Sequence, residues 1–374
     1  MSLLTQFYGS GGGGGTGLPV EILLVGGGGG GGGAAPFTNA GSGGGGSGQF
    51  LYGTYHFDYD KSVTVTIGAG GAGGTDPGSG GTNWWGFAGG DSRFGYVVAY
   101  GGGGGGAAPG SGFSQYNPNY RSNQNYGSSG GVLMEPGNGF KVAMGSQPLG
   151  AEYITRLGDF GGPRTIDSGD TNNSTESYAL IHGFISGRKT TPHGFIATGA
   201  GNIGQPTYAG GGGGAGGAPP GPISTYSVLG SITVNPSQSA NKYITNGGAG
   251  LPGSVIGYPT LEFAGGGGGG CPSPAVGAAP GDGQAGGGDG GAPAPQGGLT
   301  GGDATANSGS GGGGGANAGG PTGNNGGSGG SGVCIIRYPT EYSAATVSGN
   351  TPTPAQPGYH VYRWNGPGSI TFNS

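Results

Sequence analysis

Uninterrupted runs of glycine constrain this chain more than any other feature of its sequence. Long runs occupy residues 26–33, 101–106, 265–270 and 311–315, and glycine supplies 109 of the 374 residues. Glycine loses more backbone entropy on folding than any other residue, and these runs have no side chains to bury. They can become ordered only if their backbone groups bond to one another and their backbones pack closely.

Glycine is this abundant mainly in collagen, in disordered chains and in flexible linkers. Collagen needs glycine at every third position, a period that unbroken runs do not keep. Disorder of the whole chain is disfavoured because only 7% of the residues are charged while 9% are aromatic. A flexible tether stays open as the alternative to ordered runs, above all for residues 286–325.

A recurrent order of segments favours ordered runs. Short apolar segments at residues 21–25, 96–100, 207–209 and 261–264 precede glycine runs, and small residues with proline follow them. In the polyproline II conformation the chain has three residues per turn and directs its N–H and C=O groups outward, so neighbouring helices can bond laterally. At roughly 3.1 Å per residue, eight glycines would span about 25 Å. The sequence predicts an all-β or irregular fold of packed polyglycine II helices with short β-strands and almost no α-helix.

Composition divides the chain into four regions. Residues 1–112 and 203–332 are predicted to be two glycine-rich halves, because residues 63–67 and 231–234 precede glycine segments in similar ways and indicate a degenerate duplication. Residues 113–202 hold six of the eleven basic residues and no long glycine run, which predicts a β-rich insertion. Residues 333–374 are predicted to contain C-terminal strands, with residues 359–364 and 369–372 forming a hairpin across 365–368.

No residue pattern predicts a catalytic or metal site. The four histidines lack the spacing of a zinc site, and glycine motifs carry no information in this composition. Asp58 and Asp60, and likewise Asp282 and Asp289, would be cation ligands or, as we prefer, solvated acidic groups. We expect no cofactor, no metal and no enzymatic activity. Cys271 and Cys334 are far apart in the sequence and are predicted to be free, buried thiols.

Charge and hydropathy exclude other classes of partner. The formal net charge of −5 argues against nucleic acid binding. The sequence contains no run of about 18 apolar residues, so no membrane span is expected. The first eight residues lack the pattern of a signal peptide. If the protein acts outside a cell, we therefore expect a route that does not use standard secretion, such as assembly in a host cell followed by lysis.

Two aromatic segments are candidates for contacts with a partner. Trp84 and Trp85 interrupt a glycine-rich stretch, and residues 116–126 mix tyrosine with asparagine, glutamine and arginine. Rigid aromatic rings supply contact area while amides supply hydrogen bonds, and rings also suit the apolar faces of sugars. The alternative is that these aromatic residues cover the glycine core. The candidate binding residues are Tyr116, Tyr120, Arg121, Tyr126, Trp84 and Trp85.

Several segments carry a resemblance to known proteins. The segments ILLVGGG (residues 22–28), VTVTIGAGG (63–71) and GVCIIRY (332–338) resemble the glycine-rich structural and tail fibre proteins of tailed bacteriophages, especially those of marine and cyanobacterial phages. The terminal segments GYHVYRW (358–364) and SITF (369–372) resemble the strand pair that closes many of them. The chain is also similar to adhesins at the tips of long tail fibres, in which polyglycine helices stack and loops contact the host.

This resemblance implies a structural protein of the virion, located in an extracellular particle that is assembled in the host cytoplasm. A tail fibre or adhesin is the expected role. A capsid decoration or appendage protein without a dedicated ligand is the alternative, and a fibre-borne glycan hydrolase is a more remote one. The implied partners are other virion proteins, further copies of the chain in a homo-oligomer, and a glycan or outer-membrane protein of the host surface.

Overall fold

A computed structural model gives the fold of residues 17–37, 39–75, 84–107, 128, 130, 187–191, 194–198, 209–216, 245–272, 279–292 and 299–374. These residues contain β-strands and one short 3₁₀ turn, Ser254–Ile256, but no α-helix. The strands are β1 (Leu18–Val25), β2 (Asn39–Gly41), β3 (Phe50–Phe57), β4 (Ser62–Thr66), β5 (Ser92–Phe94), β6 (Val97–Ala99), β7 (Gly187–Thr191), β8 (Gly194–Thr198), β9 (Leu251–Gly253), β10 (Tyr258–Phe263), β11 (Ala316–Ala318), β12 (Val333–Pro339), β13 (Thr346–Ser348), β14 (Tyr359–Trp364) and β15 (Gly368–Thr371).

Two antiparallel sheets pack face to face and form the base of the molecule. The first has the strand order β14-β12-β1-β3-β8-β7, and the second has the order β13-β15-β4-β5-β6. Strand β1 lies between β3 and β12, with Leu24 opposite Leu51 on one side and Cys334 on the other. Strands from residues 1–112, 113–202 and 333–374 contribute to this base. Residues 203–332 contribute no described strand to it, but Ile256 and Phe263 pack in a core with residues of the first sheet.

The apolar pattern of β1 explains why it occupies the centre of the base. Ile22 and Leu24 pack toward the second sheet, in a core that includes Phe94 and Trp364. Leu23 and its neighbours on the opposite face belong to a second core with the 3₁₀ turn and β10. A strand buried on both faces has the continuous apolar sequence seen at residues 22–25.

The predicted C-terminal hairpin is wrong. Strand β14 pairs with β12 in the first sheet, whereas β15 pairs with β4 and β13 in the second. Residues 365–367 therefore carry the chain from one sheet to the other. The turn signal of Asn365 and Gly366 is real, but turn residues alone do not distinguish a hairpin from a corner between two sheets.

The glycine runs rise from this base as a lattice of parallel and antiparallel three-residue helices. In the 26–33 run, successive N–H groups donate to three different neighbouring segments. Those of Gly29, Gly30 and Gly31 reach the carbonyl oxygens of Gly46, Phe87 and Gly327 at 2.8, 2.9 and 2.8 Å, respectively. The next three N–H groups return to the same three segments, at Gly43, Trp84 and Asn324. A period of three residues is the signature of polyglycine II.

The 26–33 run is surrounded by six segments. It donates to segments 43–49, 84–90 and 324–330, and it accepts bonds from segments 71–74, 102–105 and 312–315. The 43–48, 265–270 and 309–315 runs are enclosed in the same way, so these four runs form the interior of a hexagonal array. Residues 287–291, 301–302 and 309–315 lie within this array, and the tether alternative is wrong for them.

Only glycine fits the positions of the 26–33 run in this array. A Cβ atom added at any position from Gly26 to Gly33 would lie within 3.0 Å of a backbone carbonyl oxygen of a neighbouring run. Backbone atoms held by hydrogen bonds cannot swing aside as a flexible side chain can. The absence of side chains is therefore what lets each N–H and C=O group reach its partner, and it explains why the runs are uninterrupted.

The strands and thiols that the sequence predicts are present, whereas the predicted duplication is not tested. The sequence predicts strands at residues 21–25, 63–67, 96–100, 261–264 and 332–338, and strands β1, β4, β6, β10 and β12 confirm them with shifted ends. Cys271 and Cys334 are buried thiols that form no disulfide, as predicted. The second member of the proposed duplication, residues 231–234, lies outside the described residues, so the duplication stays a prediction.

Candidate functional site

The end of the lattice remote from the sheets is the candidate site, because the chain reverses there between glycine runs. Strand β1 feeds directly into the 26–33 run, which points away from the base, and the 43–48 run returns toward β3. The 309–315 and 324–332 runs repeat this pattern of leaving and returning. Non-glycine side chains accumulate in these connections between runs. We call this end of the lattice, with its connections, the far end of the lattice.

Trp84 and Trp85 lie at the far end and are buried there. Their exposures are 4% and 7%, and they pack with Ala35 and Ala107. The indole of Trp84 covers Gly33, where an added Cβ would lie 2.9 Å from a ring carbon, and it also lies against Gly323. This placement matches the alternative in which the tryptophans cover the glycine core. Their contact with a partner stays a prediction.

A buried asparagine clamps two connections of the far end together. The side-chain amide of Asn317, which is fully buried, donates hydrogen bonds to the carbonyl oxygens of Ala35 at 3.0 Å and Thr322 at 2.7 Å. Its side-chain oxygen accepts a bond from the N–H of Gly320 at 2.8 Å. Asn317 itself belongs to β11 and lies opposite Ala40 of β2. Because a buried amide with all these bonds has one orientation, the two connections are held rigidly.

Phe37 is the exposed aromatic residue of this clamped surface. Its side chain is 75% exposed, and its backbone has a φ of 58°. The left-handed region costs a non-glycine residue on the order of 1–3 kcal/mol. The surrounding contacts hold it in place, since its N–H donates to the carbonyl oxygen of Gly320 at 2.7 Å. Sequence reasoning missed Phe37, whose only signal was a lone aromatic residue directly after a small-residue bend.

The tyrosine-rich candidates lie outside the described residues. They are Tyr116, Tyr120, Arg121 and Tyr126, and their role in binding stays a prediction. The last described residue of the preceding run is Ala107, which packs with the tryptophans at the far end. The geometry therefore brings Trp84, Trp85 and Phe37 to the far end and leaves the predicted tyrosines untested.

The acidic pairs noted in the sequence are solvated. Asp58 lies in the turn after β3 and forms an exposed ion pair with Lys61 at 2.6 Å. Asp60 lies in the same turn, so the two carboxylates do not share a strand face. Asp289 accepts a bond from the N–H of Gly283 at 2.8 Å on the surface of the lattice, beside the exposed Asp282. The described residues include no group of three or more His, Cys, Asp and Glu able to hold a metal ion.

A half-buried polar cluster lies on the base. The Glu21 carboxylate accepts bonds from the Arg337 guanidinium at 2.9 Å and from the Tyr52 hydroxyl at 2.7 Å. Burial and, next, the bond to Glu21 raise the pKa of Tyr52 to about 12. Arg337 also donates to Gln356, which in turn donates to the carbonyl oxygen of Ile256. The cluster ties β1 and β12 to the 3₁₀ turn, and its carboxylate is already neutralised by Arg337.

Comparison with known proteins gives a family. A family model described as a glycine-rich domain matches residues 16–339, which is most of the chain. The chain belongs to this glycine-rich domain family. The match supports the glycine-rich character of the sequence and carries no information about a bacteriophage origin.

The comparison of this glycine-rich domain with curated proteins and that with solved structures each found no match. Within the described part of the chain, no helix is long and apolar enough to cross a membrane.

Proposed function

We propose that this chain is a structural protein of a virus particle, and that its lattice is a rigid support that presents the far end to the host surface. The lattice interior cannot bind a ligand because it consists of backbone groups bonded to one another. Recognition must then use the connections between runs, which is where binding residues are found on rigid scaffolds. The observation that carries the proposal is the gathering of Trp84, Trp85, Phe37 and the Asn317 clamp at the far end.

A tail fibre or adhesin is the role that this arrangement favours. An exposed aromatic ring on a clamped loop loses little conformational freedom on binding, so its contact area contributes efficiently to affinity. The resemblance of the strand and run segments to tail fibre proteins agrees with this role. The ligand classes that suit an exposed aromatic ring are a glycan or a protein of the host surface.

Labelling of the particle with an antibody to the chain tests its location. Gold particles at the distal tail or fibres in electron micrographs are the expected result. A regular label over the capsid would identify a decoration protein instead, and absence of label from purified particles would overturn a role in the virion.

Adsorption to host cells tests the far end itself. We expect Phe37→Ala to reduce adsorption of assembled particles by roughly tenfold, since loss of an aromatic anchor commonly costs more than 1 kcal/mol. Tyr96→Ala is the matched control, because Tyr96 is 49% exposed but lies between β5 and β6, on the base. The triple variant Tyr116→Ala/Tyr120→Ala/Tyr126→Ala tests the predicted tyrosine segment in the same assay. Equal adsorption by all variants would contradict the proposal.

A further inference from the structure

One side of the lattice ends in an outer row of glycine segments, and every third residue there faces solvent. In the 68–74 segment, Ala69 and Ala72 are exposed while the other positions are glycine. In the 324–332 segment, Asn325 and Ser328 are exposed at the same spacing. A three-residue helix places every third side chain on one face. The non-glycine residues of the outer row therefore lie on the side where no further run among the described residues is bonded.

The groove between these two segments has hydrogen-bonding groups ready for one more run. Both walls of the groove carry backbone groups that have no hydrogen-bond partner among the described residues. One wall has the N–H groups of Gly70 and Gly73, and the other has the carbonyl oxygens of Gly326 and Gly329. In the interior, the equivalent groups are bonded to neighbouring runs. The N–H groups of Gly71 and Gly74, for example, donate to the carbonyl oxygens of Gly28 and Gly31, both at 2.8 Å. The spacing along each wall is three residues, or about 9 Å in this helix.

Side chains close this groove. At every position of the 26–33 run, an added Cβ atom would lie within 3.0 Å of a neighbouring carbonyl oxygen, so side chains that point toward a neighbouring run keep it from approaching. The exposed Asn325 and Ser328 directly precede Gly326 and Gly329, whose carbonyl oxygens are not bonded within the described part of the chain. An open edge of unpaired backbone groups is a template for pairing with another chain, and sheet proteins block such edges with side chains.

We propose that this groove is a self-association surface for a second copy of this chain, held closed by Asn325 and Ser328. The occupant is a glycine run of the second copy, because only a side-chain-free helix of the same period matches both walls at once. Glycine runs with this period are abundant in the chain itself. The two side chains thus set the lateral boundary of the lattice, and they keep neighbouring copies from fusing edge to edge.

The test is the double variant Asn325→Gly/Ser328→Gly, with its association measured by sedimentation velocity over a range of concentrations. We expect self-association with a dissociation constant at least roughly tenfold lower than that of the unaltered protein, corresponding to about 1.4 kcal/mol. The matched control is Asn350→Gly/Ser343→Gly, which makes the same two exchanges at exposed positions of the base. The control should sediment like the unaltered protein.

A second variant separates lattice pairing from loss of structure. Asn325→Gly/Ser328→Lys restores a side chain in the groove and should abolish the added association. If the double glycine variant sediments like the unaltered protein, or if lysine fails to reverse its association, the proposal is wrong. Circular dichroism of each variant shows whether association reflects unfolding, and an unfolded, associating double variant would likewise overturn the proposal.

Discussion

Alanine at Gly30 should disrupt the lattice while alanine at Gly366 should not. At Gly30 the new Cβ would overlap the carbonyl group of Ala72 and lie 2.7 Å from the nitrogen of Gly73. Both are backbone atoms of a neighbouring run, so relief requires the whole segment to move. At Gly366 an added Cβ meets nothing within 4 Å, and the backbone there is not left-handed. The two variants therefore compare the same added methyl group at a position packed against backbone and at a position with open space around it.

The loss of stability in Gly30→Ala depends on the backbone atoms that must move to make room for the new Cβ. Overpacking costs about 1–3 kcal/mol. Movement of the 71–74 segment would also stretch its bonds to the carbonyl oxygens of Gly28 and Gly31, both 2.8 Å long, at about 1 kcal/mol each. We expect Gly30→Ala to lower the free energy of unfolding by about 3–5 kcal/mol. Gly366→Ala should be neutral or stabilise by up to about 1 kcal/mol, because it restricts the unfolded chain.

Urea denaturation followed by circular dichroism measures both variants against the unaltered protein. The midpoint should fall for Gly30→Ala and stay constant or rise for Gly366→Ala, with little change in the slope of either transition. Equal stability of the two variants would show that the runs are not in backbone contact, and it would refute the reasoning from the lattice.

Three further predictions concern stability and accessibility. Burial raises the pKa of Cys334, and burial together with neighbouring groups raises the pKa values of Tyr52 and Tyr55 to about 12. Because the folded state holds these protons more tightly than the unfolded state, their contribution to stability is complete below about pH 9 and is lost toward pH 12. Denaturation at increasing pH measures this loss. The thiols of Cys271 and Cys334 are buried, and a thiol reagent should modify them only in denaturant, whereas rapid modification of the native protein would contradict their placement. Trp84→Ala removes the ring that covers Gly33 and should lower the free energy of unfolding by about 3–5 kcal/mol, with a change below about 1 kcal/mol counting against its role as a cover.

The lattice was predictable because glycine leaves few alternatives. A run such as residues 26–33 has no side chains, so its ordering requires backbone bonds, and a helix of three residues per turn provides them in several directions. The strands that lead into the runs were predictable from their β-branched and apolar residues. The identity of each run's neighbours was not predictable, because all glycines present the same groups and the pairing depends on the complete array.

The far end shows where sequence reasoning stops. The same residues, Trp84 and Trp85, fitted both a binding patch and a cover for the core, and only their packing against Ala35 and Ala107 places them in the interior. Phe37 could not be recognised from the sequence because its N–H bonds to Gly320, about 280 residues further along the chain, and no local pattern indicates this contact. The hairpin predicted for residues 359–372 is wrong for a similar reason. Strands β14 and β15 pair with strands elsewhere in the chain and not with each other.

Hydrogen-bond scalar couplings between amide nitrogen and carbonyl carbon test the central claim most directly. The lattice predicts that the amides of Gly29, Gly30 and Gly31, three consecutive residues, couple to the carbonyl carbons of Gly46, Phe87 and Gly327, respectively. Each coupling then joins the 26–33 run to a different segment, as a three-residue helix inside a hexagonal array requires. Couplings that lead from successive residues to a single partner segment would indicate a sheet. Absence of these couplings, with rapid exchange of the same amides, would indicate a solvated run, and either result would contradict the account.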